Sequence, residues 1–448
     1  MERDSGYDLA DGMNRVLQTK TGKVLAARSM RAALGSFVGA VVDWYDFLLY
    51  LTTAALVFNT QFFPSADPKT GMLAAFATSG VGFLFRSLGG IVFGHFGDRL
   101  GRKMMLVITV MLMGISTTLI GLLPTYRQVG WLAPLLLVVL RAIQGFAVGG
   151  EWGGAALMAV ESAPKGREAL YSSGVQIGFG VGLVLANVMV LLSIKYLGNK
   201  AFLEWGWRIP FLLSAVLVLI AVWIRKSMEE SPEFIEKVKA KDSNKAKLPI
   251  LEALRNNPAG FLFIILLRIP ENFTMYIVTG FTLAYAVHNL GMPQEHFVMN
   301  NLLVGLVSCA TIPLFAFLAD RFGFKRIYMI GAIIGLLMAV PYFLALESRS
   351  MVMIVICSIL LVNFAHDMIV SVQQPLFTKF FGAEYRYSGA GFGYQVGAAI
   401  WGGFTPFFAA LMLKIGGAWQ WVAAYLAIGC LISLVASMFL KSGGQRHC

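Results

Sequence analysis

Charge is scarce in this chain. Only 13% of its 448 residues are Asp, Glu, Lys or Arg, while 57% are hydrophobic and the mean hydropathy is +0.71. A soluble domain carries about 25% charged residues, so the composition excludes an ordinary soluble protein and makes the bilayer the expected solvent. Cysteine is equally sparse: Cys309, Cys357 and Cys430 fall in apolar runs and Cys448 is terminal, with no metal-ligand spacing and no disulfide implied. No GxxxxGK[ST] loop, GxSxG elbow or HExxH pair occurs. These absences argue against an ATP-driven pump or an enzyme, and no catalytic residue, cofactor or metal is expected. The energy source is then an ion gradient or the solute's own gradient. Residues 1–30 are polar and lack an apolar core followed by a small-residue cleavage site, so no cleaved signal peptide is expected.

Long apolar runs are abundant. A spanning helix needs about 20 mostly apolar residues, and about twelve such runs occur. They lie near 32–58, 71–95, 104–124, 131–160, 170–195, 207–225, 259–288, 297–319, 326–346, 351–380, 388–414 and 418–440. The fold class predicted is an all-α membrane protein. It divides into a cytoplasmic N-terminal segment (1–31), a six-helix bundle (32–225), a charged cytoplasmic linker (226–258), a second six-helix bundle (259–440) and a cytoplasmic tail (441–448). The formal net charge of +12 raises the question of nucleic acid, and its placement answers it. Of the 36 Lys and Arg, roughly 26 fall on the termini and even-numbered loops, roughly 7 on the other side and about 3 within spans, which is the positive-inside pattern. It places both termini in the cytoplasm and leaves no basic face for nucleic acid.

An internal repeat supports the two halves. "GHFGDRLGRK" after the second run is echoed by "ADRFGFKR" after the eighth, pairing Asp98 and Arg99 with Asp320 and Arg321, while Gln176 pairs with Gln395 in "GVQIG" and "GYQVG". Parallel repeats around a midplane site are a transporter architecture. Glycines such as Gly94 let helix ends approach, and Asp98 can pair with basic residues or cap a helix end. Arg86, Gly94, Asp98, Arg99, Arg102, Asp320 and Arg321 are accordingly the expected gating set. Phe324 stands where Arg102 stands in the first copy, which weakens the second latch.

Polar residues inside the runs mark the path of the solute. In "GAVVDWYDFLLY", Asp43 and Asp46 share a helix face. Low dielectric and a like-charged neighbour both disfavour an ionised carboxylate, so one of the pair is a candidate proton carrier, with Asp46 favoured; permanent neutralisation of Arg86 or Arg141 is the other reading. In "LRAIQGFAVGGEWGG", an intramembrane Arg141 costs roughly 2.5–3.5 kcal/mol and shares its face with Gln144. It either binds an anionic substrate or holds a carboxylate. "LLRIPENFTMYIVTG" sets Arg268 and Glu271 around Pro270, which favours a kink, with Tyr276 two turns on. "VNFAHDMIVSVQQP" places Asn363 and His366 together with Asp367 adjacent, as either a proton relay, a hydroxyl-binding group or packing. Tyr394 and Gln395 are hydroxyl-binding candidates.

The motifs "VVDWYDFLLY", "GVGFLFRSLGG", "GHFGDRLGRK" and "RAIQGFAVGGEWGG" resemble the metabolite:proton symporter family of the major facilitator superfamily, over nearly all twelve runs. Members of that family carry organic acids, shikimate, proline and betaines. Ser87 departs from the pattern, since many relatives have Pro there. The resemblance implies import of shikimate, a carboxylated cyclohexene triol, with a proton across the bacterial inner membrane, by a monomer; another organic acid or a zwitterion such as proline or betaine is the alternative. It implies Arg141 or Arg268 on the carboxylate, Gln144, Asn363, Tyr394 or Gln395 on the hydroxyls, and Trp152 or Tyr45 over the ring. Protonation of Asp46 or Asp43 would release Arg141 for the substrate. A passive facilitator and a ligand sensor on a transporter scaffold are the rival functions.

Overall fold

The computed structural model describes residues 36–64, 68–100, 102–150, 160, 163, 166–226, 254–381 and 386–440. Among them are twelve helices long and apolar enough to span a bilayer. The first six are α1 (Ser36–Gln61), α2 (Lys69–Phe93), α3 (Met104–Leu122), α4 (Leu132–Gly149), α5 (Glu168–Leu197) and α6 (Arg208–Lys226). The second six are α7 (Pro258–His288), α8 (Gln294–Phe322), α9 (Phe324–Glu347), α10 (Met351–Thr378), α11 (Gly389–Gly416) and α12 (Gln420–Met438). No strand occurs among the described residues. Most of the linker between α6 and α7 lies outside them, so the end of the molecule where α6 finishes and α7 begins is called the linker side, and the other the far side.

Each half is a bundle, and the halves meet where α5 runs along α8 and α2 along α11. Glycine sets these distances. A Cβ on Gly145 of α4 would fall 1.9 Å from the Gly82 carbonyl oxygen of α2, and one on Gly149 would fall 2.0 Å from the Arg86 carbonyl. Between the halves, a Cβ on Gly180 of α5 would lie 2.8 Å from the Gly305 carbonyl of α8, and one on Gly305 would lie 2.9 Å from the Gly180 carbonyl. Such backbone contact gives lipid-embedded helices the close packing that a hydrophobic effect supplies in water. Gly145→Ala is therefore expected to force α2 and α4 apart, at an overpacking cost of about 1–3 kcal/mol. A lowered unfolding midpoint of the detergent-solubilised protein checks this; an unchanged midpoint contradicts the packing.

Several helices are irregular at matching places. α1 and α7, which open the two halves, each carry a π-helical turn, Ala54–Phe58 and Ile277–Phe281. α10 has another at Ile359–His366 and α11 at Ala398–Gly402. π turns inside α-helices concentrate at functional sites. α7 is also interrupted at Arg268, with helix over Pro258–Leu267 and again over Ile269–Tyr276. Pro270 sits in the first turn of the second piece, where its missing N–H costs nothing. The kink expected from Pro270 is thus a break centred on Arg268.

Candidate functional site

A narrow cavity of about 60 Å³ lies between the two halves. Its walls come from α1, α2, α4, α5, α7 and α11, and include Asp43, Trp44, Arg86, Gln176, Arg268 and Gln395. It reaches Ser36, the first residue of α1, so it extends toward the linker side. The far side is sealed. Tyr276 of α7 stands edge-on to Phe47 and Phe83, with ring centroids 5.4 and 5.9 Å apart. Beyond them the halves are joined by Gln294 Nε2 donating to Asn199 Oδ1 at 2.6 Å and Lys414 Nζ donating to Thr70 Oγ1 at 2.6 Å. The His288 ring lies 3.1 Å from the Ala55 carbonyl, inside the π turn of α1.

Two guanidinium groups face this cavity. Arg268 sits in the break of α7, where Nη2 meets Glu271 Oε1 at 3.0 Å and Nη1 donates to the Tyr394 carbonyl at 3.0 Å. Its guanidinium carbon lies 3.3 Å from the centre of the Tyr394 ring. Arg86 stacks over Phe83 at 4.3 Å and Phe47 at 5.3 Å, and forms no ion pair among the described residues. Asp43 also lines the cavity and is acted on electrostatically by Arg225 and Arg86, whereas Arg268 has Glu271 as its carboxylate. Arg86, Asp43 and Arg268, the last already paired with Glu271, lie beside Gln176, Gln395, Tyr276 and Tyr394. Trp44 and Phe83 supply flat apolar walls.

Asp43 and Arg86 also line a second, much smaller cavity of about 10 Å³ inside the first bundle. A chain of hydrogen bonds runs along its wall. Thr117 Oγ1 donates to Asp46 Oδ2 at 2.8 Å, Gln144 Nε2 donates to Thr117 Oγ1 at 2.7 Å, and Arg141 Nη1 donates to Gln144 Oε1. Arg141 is stacked on Tyr50 at 4.1 Å. Asp46 Oδ1 and Arg141 Nε have no hydrogen-bond partner.

The structure places the expected residues unevenly. Asp43, Arg268, Tyr276, Tyr394 and Gln395 converge on the central cavity. Arg141 and Gln144 do not line it; they lie one layer deeper, on the Asp46 chain. Tyr45 is a correction: its hydroxyl donates to the Pro210 carbonyl at 2.7 Å, so it faces α6, and the neighbouring Trp44 turns into the cavity instead. One residue rotates a helical position by about 100°, which is what separates the two. Asn363, His366 and Asp367 are bonded to one another and to α8, away from the cavity lining. Glu271 reaches the cavity only through Arg268. Asp320 accepts from the backbone N–H groups of Ala169 and Leu170, both at 2.9 Å, and so holds the start of α5 across the interface between the halves. Arg321 stacks on Phe322 at 5.7 Å. Trp152 lies outside the described residues, as do the surroundings of Gly94 and the side chains of Asp98, Arg99 and Arg102. Sequence reasoning missed Trp44 and the depth of Arg225, which reads as a flank of α6 but is buried, with Nη1 donating to the Leu106 carbonyl at 2.7 Å. Arg86, one of the expected gating residues, lines the central cavity.

Residues 32–403 match the Major Facilitator Superfamily profile. The chain belongs to the major facilitator superfamily. The resemblance read from its motifs holds, and the chain is a secondary transporter and a multi-pass membrane protein. The chain is 60% identical over 94% of its length, and 96% of the other's, to the shikimate transporter of Escherichia coli (strain K12). It is 36% identical, over 93% of its length and 94% of the other's, to the inner membrane metabolite transport protein YhjE of the same organism. The proline/betaine transporter of that organism is 30% identical, over 93% of this chain and 84% of the relative. In fold, the chain superposes on the partially occluded inward-open structure of the xylose transporter XylE from E. coli with a TM-score of 0.74, at 17% identity, covering 94% of this chain and 100% of that one.

Proposed function

We propose that this superfamily member imports shikimate together with protons across the bacterial inner membrane by alternating access, each chain carrying its own site. One observation carries the reading: Arg86 and Arg268 approach one cavity from opposite halves, with Asp43 the carboxylate in its wall. Shikimate presents one carboxylate, three hydroxyls and a flat ring face. The carboxylate bridges Arg86 and Arg268 through charge-assisted hydrogen bonds, the hydroxyls meet Gln176, Gln395 and Tyr276, and Trp44 covers the ring. The basic side of the chain is the linker side, which the positive-inside rule places in the cytoplasm. The cavity then faces inward, with the far side closed toward the outside.

Coupling follows from competition for Arg86. When Asp43 is ionised it holds Arg86 across the cavity; when it takes a proton, Arg86 is released to the substrate carboxylate. The chain of Asp46, Thr117, Gln144 and Arg141 stands directly behind Asp43 and serves as the polar route by which protons reach it. The role given to Arg141 from sequence thus passes to Arg86, because Arg141 is one layer removed from the solute. The test is uptake of labelled shikimate into proteoliposomes. An inward proton gradient is expected to drive accumulation above equilibrium, and a protonophore to abolish it. Uptake that ignores the protonophore would make the protein a facilitator, and no uptake would remove shikimate as the substrate.

A further inference from the structure

The proposed mechanism uses the first bundle for protons; of the buried acids of the second bundle, Glu271 is held by Arg268 and Asp367 is left without a role. Asp367 is fully buried on α10. Its Oδ2 accepts from Thr311 Oγ1 of α8 at 2.5 Å and from Asn363 Nδ2 at 3.1 Å, while Oδ1 lies 2.8 Å from His366 Nδ1. Toward the linker side, Ser371, Gln374 and Thr378 follow Asp367 at spacings that keep one helix face, and Gln373 follows His366 on the adjoining face. Gln373 and Gln374 are completely buried. Neither amide makes any hydrogen bond through its oxygen or its nitrogen, and His366 Nε2 has none either. Five orphaned polar atoms on two turns of one buried helix are expensive, since each costs about 1–3 kcal/mol if left dry. Buried polar groups are satisfied by protein or by ordered water, and an amide pair of this kind provides the two to four contacts that a buried water needs.

We propose that α10 carries a second proton site, Asp367 with its positioning partner His366, joined to the linker side by water held on Gln373 and Gln374. The inference rests on the reading of the protein as proton-coupled and adds a second site to it. The file covers about 16 Å, the rise of the eleven residues from Asp367 to Thr378. Protonated Asp367 passes its proton to the adjacent water, the carboxylate left behind is held by the Thr311 hydroxyl and the Asn363 amide, and the hydronium hands its charge along the file to bulk water. Other titratable groups facing this part of α10 are already engaged. Cys309 of α8 donates to the Gly305 carbonyl, Tyr328 of α9 donates to the Leu267 carbonyl, and Glu271 of α7 is paired with Arg268. From α5 it meets Phe179, 4.8 Å from the His366 ring, and Gln176, which donates to the Val370 carbonyl.

Infrared spectroscopy of the full-length protein in lipid nanodiscs, without substrate, tests this separately from transport. A carboxylic-acid C=O band that grows on acidification and is missing in Asp367→Asn is expected. On transfer to D2O, that band is expected to shift at least tenfold more slowly in the double variant Gln373→Leu/Gln374→Leu than in the wild type. His366→Gln, which keeps the acid, is expected to move the band without removing it, and covers the case in which Asp367→Asn does not fold. A band indifferent to both Asp367→Asn and His366→Gln, or an exchange rate unchanged by the double variant, overturns the proposal. Failure of the wild type to take up shikimate would instead overturn the substrate reading and leave these spectra interpretable.

Discussion

Arg86→Ala is expected to lower shikimate affinity by about 100-fold or more while leaving a folded protein. The magnitude follows from the site. Removing one member of a buried charge pair costs about 3–5 kcal/mol, and about 1.4 kcal/mol is a factor of ten. Arg268 remains to hold the carboxylate in part, which keeps the loss near the lower figure. Folding survives because Arg86 holds no ion pair among the described residues and stacks only on Phe83 and Phe47. Trp44 lines the same cavity, so quenching of tryptophan fluorescence reads binding directly, independent of turnover. Arg86→Lys keeps the charge but loses the planar fork that matches a carboxylate, and is expected to fall between the wild type and Ala. Unchanged binding in Arg86→Ala would show that the carboxylate sits elsewhere, with Arg141 the next group to examine.

Asp43→Asn is expected to separate transport from coupling. The amide mimics the protonated acid, so Arg86 is permanently free for substrate and exchange of labelled for unlabelled shikimate continues. Net accumulation is lost because no proton need accompany the solute. One proton carried with one carboxylate is electroneutral, so the membrane potential contributes nothing and a pH difference alone drives the wild type. Each pH unit is worth about 1.4 kcal/mol, hence about tenfold accumulation for one proton. The wild type is therefore expected to concentrate shikimate about tenfold per unit of gradient, and Asp43→Asn to equilibrate at a ratio near one. A wild-type ratio in the variant would sink the assignment of Asp43. A wild-type response to an imposed potential would mean that more than one proton moves, which a second site on α10 would accommodate.

The helices and the doubled architecture were legible in the sequence because the bilayer enforces them: runs of apolar residues and a biased distribution of Lys and Arg leave few other folds. Within the spans, rare polar residues marked the right neighbourhood. Asp43, Arg268, Tyr276, Tyr394 and Gln395 share one cavity, as their cost in lipid implied. Which face each residue presents was harder to read. Tyr45 and Trp44 differ by one position, and only the packing of α1 against α6 decides which meets solute. Arg141 and Arg86 look alike as intramembrane cations, yet one is sequestered behind Tyr50 and Gln144 and the other exposed to the cavity. Arg225 reads as an interfacial anchor because it ends an apolar run next to Lys226, and nothing local signals that its head turns back into the bundle. The orphaned amides of Gln373 and Gln374 leave no trace in the sequence at all, since an orphan is a property of neighbours.

The contact of Gly180 with Gly305 can be read as the pin of a pair of scissors. Gly180 lies twelve residues from the start of α5 and seventeen from its end; Gly305 lies eleven from the start of α8 and seventeen from its end. At 1.5 Å per residue each helix therefore has a short arm of about 17 Å and a long arm of about 26 Å. The helices run in opposite directions, so the long arm of one lies beside the short arm of the other on both sides of the membrane. Leverage is balanced, and the same rotation opens either mouth equally. No mechanical advantage favours one orientation, which leaves the choice of resting state to side chains at the tips, Asp320 on one side and the Asn199, Gln294 and Lys414 contacts on the other.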